Sequence, residues 1–313
     1  MTPRDHGGGL DTALTHYGGS RADWLDLSTG INPLSYPVQD LPADAWTALP
    51  DAAAFAALEQ AARAFWNIPE TAAILSAPGA SALIARIPLL RSPQQVEIQT
   101  PTYNEHAAAF NGAGWSVTGT KGTVRVAVHP NNPTGRLWSP LELAKGAPEL
   151  TIIDESFCDI CPTHSHIERV QDGKTIVLKS FGKFWGLAGM RLGFAVGAPE
   201  LIAPLRDAIG PWQVSGPALS VGAQALSDTD WAQETRERLK KDCARMDTTM
   251  RQAGAKVLGG TTLFRLYDVA DATALQDQLA KHHIWSRIFP YSKSWVRLGL
   301  PQPDQFTRLE AAL

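Results

Sequence analysis

Short apolar runs that are continuous rather than alternating recur along the middle of the 313-residue chain. Five such runs lie between residues 71 and 197, and they are Val96–Gln99, Val124–Val128, Leu150–Ile153, Thr175–Leu178 and Gly193–Val196. Helical patterns separate them. Short, almost wholly apolar strands joined by helices are typical of a parallel sheet that is covered on both faces. The pattern therefore predicts a largely parallel α/β sheet for this part of the chain.

Helical spacing of apolar residues dominates on both sides of this predicted sheet. Residues 51–66 are rich in alanine and carry apolar side chains at helical intervals, which predicts a helix. Residues 199–253 are also helical in pattern, with a break at Gly210 and Pro211. These segments supply helices before and after the sheet.

The two ends of the chain differ from the middle. Residues up to Pro37 are rich in glycine, proline and polar side chains, which predicts an extended N-terminal arm. Near the other end, two predicted strands, Leu263–Tyr267 and Trp295–Leu298, enclose a helix over residues 272–282, as in a small α+β domain. We therefore predict an arm, a large domain and a small C-terminal domain, with limits at residues 1–37, 38–205 and 206–313.

Composition excludes several functional classes. The net charge of −3 leaves no basic surface of the kind that binds nucleic acid. No stretch is apolar for long enough to form a membrane helix, and the N-terminus lacks the apolar core of a signal peptide. Three cysteines are too few for a disulfide framework in a chain of this length. We expect a cytoplasmic protein that acts on a small molecule.

The chemistry concentrates around Lys183, which lies among glycine and apolar residues. Desolvation lowers the pKa of a lysine, and a neutral lysine amine can form a Schiff base with an aldehyde. Ser180 lies three residues before it and Arg191 eight residues after it, and both side chains can donate to a phosphate. An aldehyde that carries a phosphate is pyridoxal phosphate. The alternative is a surface lysine in a loop before a strand.

Two segments before Lys183 could contact the same cofactor. Gly79, Ala80 and Ser81 form a glycine turn before a predicted helix, and helix N-terminal amides together with a hydroxyl can bind an anion. Tyr103 follows a predicted strand and could stack on a flat pyridine ring. Either segment alone is weak evidence, because such turns and half-buried tyrosines are common.

Two further polar residues follow predicted strands. Asn132, in an Asn-Pro-Thr-Gly segment, offers an amide donor suited to the hydroxyl of the pyridine ring. Asp154 ends the next apolar run, and a carboxylate paired with the pyridine nitrogen makes the ring a better electron acceptor. The alternatives are an ordinary Asn-Pro turn and an aspartate that caps a helix.

In this order, the glycine turn, Thr-Tyr, Asn-Pro-Thr-Gly, the aspartate and Ser-x-x-Lys with its arginine resemble the motifs of fold-type I pyridoxal phosphate enzymes. The resemblance implies a transferase fold with a large, mostly parallel sheet and a small α+β domain. It also implies pyridoxal phosphate as the cofactor, Lys183 and Asp154 as the catalytic residues, and a homodimer.

Two N-terminal segments narrow the choice of enzyme family within this class. Segments 5–8 and 25–33 resemble the opening of the threonine-phosphate decarboxylases of cobalamin biosynthesis, which are relatives of histidinol-phosphate aminotransferases. The resemblance implies decarboxylation of L-threonine O-3-phosphate to (R)-1-amino-2-propanol O-2-phosphate. Phe157 agrees with it, because many aminotransferases of this type have a tyrosine three residues after the ring aspartate. The substrate-binding residues that we expect on this basis are His6, Gly7, Asn32, Asn132, Arg287 and Arg297. Of these, Arg297 lies in a segment similar to the one that supplies the arginine for the substrate carboxylate.

Three other interpretations remain open at this point. An aminotransferase acting on histidinol phosphate or a similar phosphorylated amine would have nearly the same site. A non-catalytic regulator of the same fold would need a DNA-binding domain, for which the chain has no room. The Cys-x-x-Cys segment with two histidines, residues 158–166, has a spacing that could bind zinc, but we expect no metal there.

Overall fold

The computed structural model describes residues 6–313. The chain divides into two compact units, which we call unit 1 and unit 2. Unit 1 contains the described residues up to Leu34, together with Pro133–Gly135 and Glu234–Leu313. Unit 2 contains Ser35–Asn132 and Arg136–Gln233. The domain limits after residues 37 and 205 stay a prediction.

The strands, in chain order, are β1 (Leu25–Asp26), β2 (Ala73–Ala77), β3 (Gln95–Ile98), β4 (Ser116–Thr118), β5 (Val124–Val128), β6 (Leu150–Asp154), β7 (Thr175–Ser180), β8 (Gly193–Gly197), β9 (Lys256–Gly260), β10 (Phe264–Asp268), β11 (Ile284–Trp285), β12 (Arg287–Phe289) and β13 (Ser292–Gly299). The α-helices are α1 (Leu10–Tyr17), α2 (Asp44–Thr47), α3 (Ala52–Trp66), α4 (Ala80–Ile84), α5 (Asn104–Gly112), α6 (Pro140–Ala144), α7 (Pro199–Ile209), α8 (Gly216–Ser227), α9 (Thr229–Gln252), α10 (Ala272–Lys281) and α11 (Phe306–Ala312). None of the helices in the described part of the chain is long and apolar enough to cross a membrane.

Unit 2 is built on a seven-stranded sheet with the strand order β2-β8-β7-β6-β5-β3-β4. Strand β8 runs antiparallel to both of its neighbours, and the other pairs are parallel. The five predicted apolar runs form β3, β5, β6, β7 and β8, and β5, β6 and β8 are buried along their whole length. The prediction of a mostly parallel α/β sheet is therefore confirmed. Strand β2, which the sequence analysis did not identify, completes the sheet beside β8.

The helix predicted at residues 51–66 is α3, and its ends show why it forms there. The Asp51 side chain accepts a hydrogen bond from the Ala54 amide (2.8 Å), which caps the first turn. Asn67 adopts a left-handed conformation and ends the helix. Leu58, Ala62 and Trp66 recur at helical spacing and are buried. The predicted break at Gly210 likewise separates α7 from α8.

Unit 1 contains a four-stranded antiparallel sheet with the order β12-β13-β10-β9, and a short parallel pair of β1 and β11. The predicted strands and helix of the C-terminal region are β10, β13 and α10. The N-terminal arm, however, is not extended throughout, because α1 lies within it. Leu10, Ala13 and Tyr17 occur at helical intervals and contribute to a small apolar cluster with Trp24 and Ala280. This short amphipathic pattern was overlooked among the glycines.

Candidate active site

The carboxyl ends of the central strands of unit 2 lie side by side. Val128 at the end of β5 is paired with Asp154 of β6, and Asp154 with Leu178 of β7. Ser180 at the end of β7 is paired with Gly193, where β8 begins. Parallel strands bring the loops that follow them to one edge of the sheet, which is where open α/β sheets bind ligands.

One pocket lies at this edge. It is lined by Ala80, Ser81, Ile84, Tyr103, Val128, Asn132, Asp154, Ser156, Phe157, Ser180, Gly182, Lys183, Ala188 and Arg191. Every residue that the sequence analysis expected at the cofactor is in this list except Gly79, which immediately precedes α4. The structure thus brings together residues that are more than 100 positions apart in the sequence.

Asp154 is a buried carboxylate with its orientation set by two neighbours. Its Oδ2 lies 2.8 Å from His106 Nε2, and its Oδ1 accepts hydrogen bonds from the Ser156 amide (3.0 Å) and hydroxyl. Burial favours the neutral acid, but the hydrogen bonds from His106 and Ser156 outweigh burial and hold the pKa of Asp154 below its usual value. The group is therefore an ionised carboxylate in an enclosed site, and each oxygen retains a further acceptor position.

His106 was missed by the sequence analysis. It lies on α5, one helical turn after Tyr103, and its side chain is almost wholly buried. A single histidine on an otherwise ordinary helix is not a signal by itself. The available clue was its position three residues after a candidate cofactor-stacking tyrosine, which places both side chains on one face of the helix.

We expect that replacing His106 with leucine moves the acid limb of the pH–activity profile to higher pH. The substitution removes the bond to Oδ2 while burial persists, so the pKa of Asp154 rises. In the unchanged protein the lowered pKa means that ionised Asp154 stabilises the fold above its unfolded value of 3.8, and that this contribution is lost as the pH falls through the folded-state pKa. The measurement is kcat/KM against pH.

The exposed His282 provides the control, since its replacement with leucine should leave the acid limb where it is. A profile for the His106 variant that superimposes on that of the unchanged protein would show that His106 does not set the ionisation of Asp154.

Gly79 and Arg191 meet at the other side of the pocket. Gly79 has a positive φ of 82°, and a Cβ atom added there would lie 2.4 Å from Nη2 of Arg191. The guanidinium group therefore lies directly against the glycine turn, where the positive φ favours glycine. Arg191 itself has a left-handed backbone (φ 54°) and donates to the Ala188 carbonyl oxygen. This places a cation beside the backbone that precedes α4, as a phosphate site needs.

The loop that carries Lys183 is anchored by aromatic packing. The Trp185 ring stacks on Phe181, with centroids 5.0 Å apart, and on Trp231, with centroids 5.3 Å apart. The Trp185 indole also donates to buried Asp159 at 3.1 Å. Two residues before this anchor, Lys183 Nζ lies 5.7 Å from the centroid of the Phe157 ring. This packing therefore holds the loop that carries Lys183 in place.

A hydrogen-bonded asparagine joins the loop of Tyr103 to that of Asn132. The buried Asn131 side chain accepts from the Thr102 hydroxyl at 2.6 Å and donates to the Pro101 carbonyl oxygen at 3.0 Å. Asn131 and Thr102 are the sequence neighbours of the two pocket residues. Their bond holds both loops at the pocket.

The donor set of the pocket fits pyridoxal phosphate. Asp154 is suited to a protonated pyridine nitrogen, and the Tyr103 ring is suited to stacking on the pyridine. Arg191, with the hydroxyls of Ser81 and Ser180 nearby in the lining, is suited to a phosphate. Lys183 is the amine in the set.

The residues expected at the substrate lie in unit 1, apart from Asn132. Arg287 on β12 and Arg297 on β13 are direct partners across the antiparallel ladder. The Arg297 side chain is buried and donates to the Ser28 carbonyl oxygen. Gly7 packs closely against the same segment, because a Cβ atom there would lie 2.3 Å from the Ser28 oxygen.

His6 and Asn32 are also tied to arginines of unit 1. Arg287 Nη1 donates to the His6 carbonyl oxygen at 2.8 Å. The Asn32 side-chain oxygen accepts from Arg238, which in turn pairs with Asp242 at 2.9 Å. The sequence analysis missed Arg238, which is an ordinary charged residue of a long helix in the sequence. Asp5, the first residue of the N-terminal motif, lies outside the described residues.

The Cys-x-x-Cys segment does not present a set of metal ligands. Within residues 6–313, the structure contains no group of three or more histidine, cysteine, aspartate or glutamate side chains placed to hold a metal ion. His166 Nε2 lies 2.8 Å from the Trp138 carbonyl oxygen, and the Cys158 thiol lies 3.8 Å from the carbonyl oxygen of Cys161.

Comparison with known proteins agrees with this fold. The sequence model of the aminotransferase class I and II family matches residues 123–313. A threonine-phosphate decarboxylase from a Sinorhizobium species is 39% identical over 96% of this chain and 94% of its own length. A threonine-phosphate decarboxylase from Pseudomonas aeruginosa is 37% identical over 99% of this chain and 97% of its own.

A solved structure extends the agreement to three dimensions. The histidinol-phosphate aminotransferase from Sinorhizobium meliloti, solved in complex with pyridoxal 5′-phosphate, superimposes with a TM-score of 0.74. It is 19% identical, and the match covers 97% of this chain and 92% of that one. The fold is therefore that of the fold-type I pyridoxal phosphate enzymes. The chain belongs to the aminotransferase class I and II family, and the prediction of pyridoxal phosphate as its cofactor is confirmed.

Proposed function

We propose that this protein decarboxylates L-threonine O-3-phosphate to (R)-1-amino-2-propanol O-2-phosphate, a step of cobalamin biosynthesis. The structural observation that carries the proposal is the pairing of Arg287 with Arg297 across β12 and β13. The names of the two relatives that match nearly the whole chain support it.

Arg287 and Arg297 place two guanidinium groups at facing positions of the ladder. A guanidinium group binds a carboxylate or a phosphate through two parallel hydrogen bonds. L-threonine O-3-phosphate carries one of each. We propose that Arg297 binds its carboxylate and that Arg287 binds its phosphate, with His6, Gly7 and Asn32 beside them.

The proposal gives the pocket residues of unit 2 the following roles. Bound pyridoxal phosphate supplies a ring that accepts the electron pair left when a bond to the substrate Cα breaks. Asp154, held ionised by His106 and Ser156, would keep a proton at the ring nitrogen. Lys183 would hold, at its Nζ, the proton that Cα takes up. Asn132 would donate to the ring oxygen.

Phe157 also favours this reaction over amino transfer. Its ring lines the pocket near Lys183 Nζ, at the position where many aminotransferases have a tyrosine. A phenyl ring cannot donate to the ring oxygen of the cofactor. The reaction outcome depends on which Cα bond stands perpendicular to the cofactor ring, which the anchoring of carboxylate and phosphate decides.

The test is carbon dioxide release from L-threonine O-3-phosphate by the purified holoenzyme without any keto acid. Release under these conditions would support the decarboxylase. No release, combined with amino transfer from histidinol phosphate to 2-oxoglutarate, would favour the aminotransferase that the resemblance leaves as the alternative.

Replacing Arg287 with alanine should raise KM for L-threonine O-3-phosphate by about 10-fold or more, because a charge-assisted bond to the phosphate is lost. The measurement is the steady-state KM and kcat of carbon dioxide release. The matched control is Arg21→Ala, at an exposed arginine of the same unit. Equal KM values for the two variants would contradict the phosphate-binding role.

A cytoplasmic homodimer remains part of the proposal. Trp46 is 71% exposed in unit 2 and lines an apolar groove together with Met190 and Pro217. Large exposed apolar side chains around such a groove are typical of a surface that another protein chain covers.

A further inference from the structure

Cys158 and Cys161 lie on one tight turn that directly follows the pocket residue Phe157. The Cys161 amide donates to the Cys158 carbonyl oxygen at 2.8 Å, which closes the turn. The Cys158 thiol also lies 3.8 Å from the Cys161 carbonyl oxygen, so its side chain points toward Cys161. A closed turn of this kind keeps the two Cα atoms within the range that a disulfide spans.

The two thiols differ in exposure and in acidity. Cys158 is fully buried, whereas Cys161 is partly exposed. Interaction with the Cys158 side chain lowers the pKa of Cys161, and the buried ammonium group of Lys179 acts in the same direction. The interaction between the two cysteines raises the pKa of Cys158. The thiolate is the reactive form of cysteine, so Cys161 is the thiol that meets an oxidant and Cys158 is the one that resolves it.

Residues of the turn and its neighbour Phe157 contact the cofactor pocket and the lysine loop within unit 2. Phe157 precedes Cys158, and its ring lies against Lys183 Nζ. Asp159, between the two cysteines, accepts hydrogen bonds from the indoles of Trp185 (3.1 Å) and Trp66 (2.8 Å). Trp185 is the anchor of the lysine loop. A disulfide bond between the two sulfur atoms would therefore act directly on Phe157 and Asp159, which contact Lys183 and Trp185.

We propose that Cys158 and Cys161 form a reversible disulfide that disables the cofactor site under oxidising conditions. The Cys161 thiolate attacks a hydroperoxide, the O–O bond breaks, and an alcohol leaves after taking up a proton, which makes Cys161 a sulfenic acid. The Cys158 sulfur then attacks the Cys161 sulfur, and the hydroxyl leaves with the Cys158 proton as water. Two thiols are oxidised and one hydroperoxide is reduced. An external dithiol reverses the change by thiol–disulfide exchange.

The test uses the holoenzyme treated with hydrogen peroxide and then with dithiothreitol. Titratable thiols in the unfolded protein should fall from three to one, since Cys243 is the remaining cysteine. Peptide mapping should find the Cys158–Cys161 bond. The visible absorbance of the bound cofactor should weaken, and catalysis should fall by about 10²-fold, as expected for a displacement of about 1 Å in a catalytic site. Dithiothreitol should restore all three properties.

The variant Cys161→Ser should keep its cofactor absorbance through the same treatment, while Cys243→Ser should respond as the unchanged protein does. Three remaining thiols after treatment, or a disulfide that leaves the cofactor absorbance unchanged, would overturn the proposal. The thiol count and the absorbance do not involve the substrate, so failure of this proposal is distinguishable from failure of the proposed decarboxylation.

Discussion

Replacing Lys183 with alanine should reduce carbon dioxide release from L-threonine O-3-phosphate by at least about 10³-fold, because both the covalent attachment and the proton transfer depend on its amine. The variant should still fold, since Lys183 is only partly buried and its loop is held by aromatic packing around Trp185. The visible absorbance of the lysine-bound cofactor should disappear. The measurements are carbon dioxide release and the absorption spectrum with added pyridoxal phosphate.

Lys174→Ala is the matched control. Lys174 is exposed and directly precedes β7, the strand whose other end leads to Lys183. This variant should keep both the absorbance and the activity. If Lys183→Ala released carbon dioxide at the rate of the control, Lys183 would not be the catalytic lysine, whatever cofactor the protein binds.

Asp154→Asn should lower kcat by about 10²- to 10³-fold, the range found when one preorganised electrostatic group is removed from an active site. The amide is nearly the same size as the carboxylate but carries no negative charge. It cannot hold a proton at the ring nitrogen, and the ring then accepts electrons less well. Because His106 would still lie 2.8 Å from the altered group, we expect a folded protein that binds cofactor with a changed spectrum. The measurement is kcat together with the cofactor spectrum.

The exposed Asp207 gives a matched control, since Asp207→Asn removes one carboxylate from the same unit, where it lines a different pocket. Activity of Asp154→Asn within a few-fold of this control would mean that the ring nitrogen does not depend on Asp154. Loss of folding, detected as a changed thermal transition, would instead show that the buried carboxylate is needed for the fold.

The central sheet could be predicted from the sequence because its signal is local. The runs that became β5, β6 and β8 are apolar at nearly every position, which is what burial on both faces requires. The short helix α1 was missed because its apolar face is brief and lies among glycines. Strand β2 was missed for a related reason, since Ala73–Ala77 is short and its role depends on pairing with β8.

Residues that position another site residue were harder to identify from the sequence. His106 is recognisable only from its contact with Asp154, and Arg238 only from its contact with Asn32. Their partners are 48 and 206 positions away. A single sequence has no periodicity or spacing that reports such contacts.

The sequence by itself determined the order of the chemical groups: the glycine turn, Tyr103, Asn132, Asp154 and Lys183 each follow or precede a recognisable element. That order resembles the motifs of fold-type I pyridoxal phosphate enzymes, and the resemblance implied the cofactor. Only the tertiary structure decided the ionisation and the position of these groups. The lowered pKa of Asp154 and the anchored position of the lysine loop arise from burial and from contacts between distant segments. Burial and distance are properties of the packed chain, so no local pattern could have supplied them.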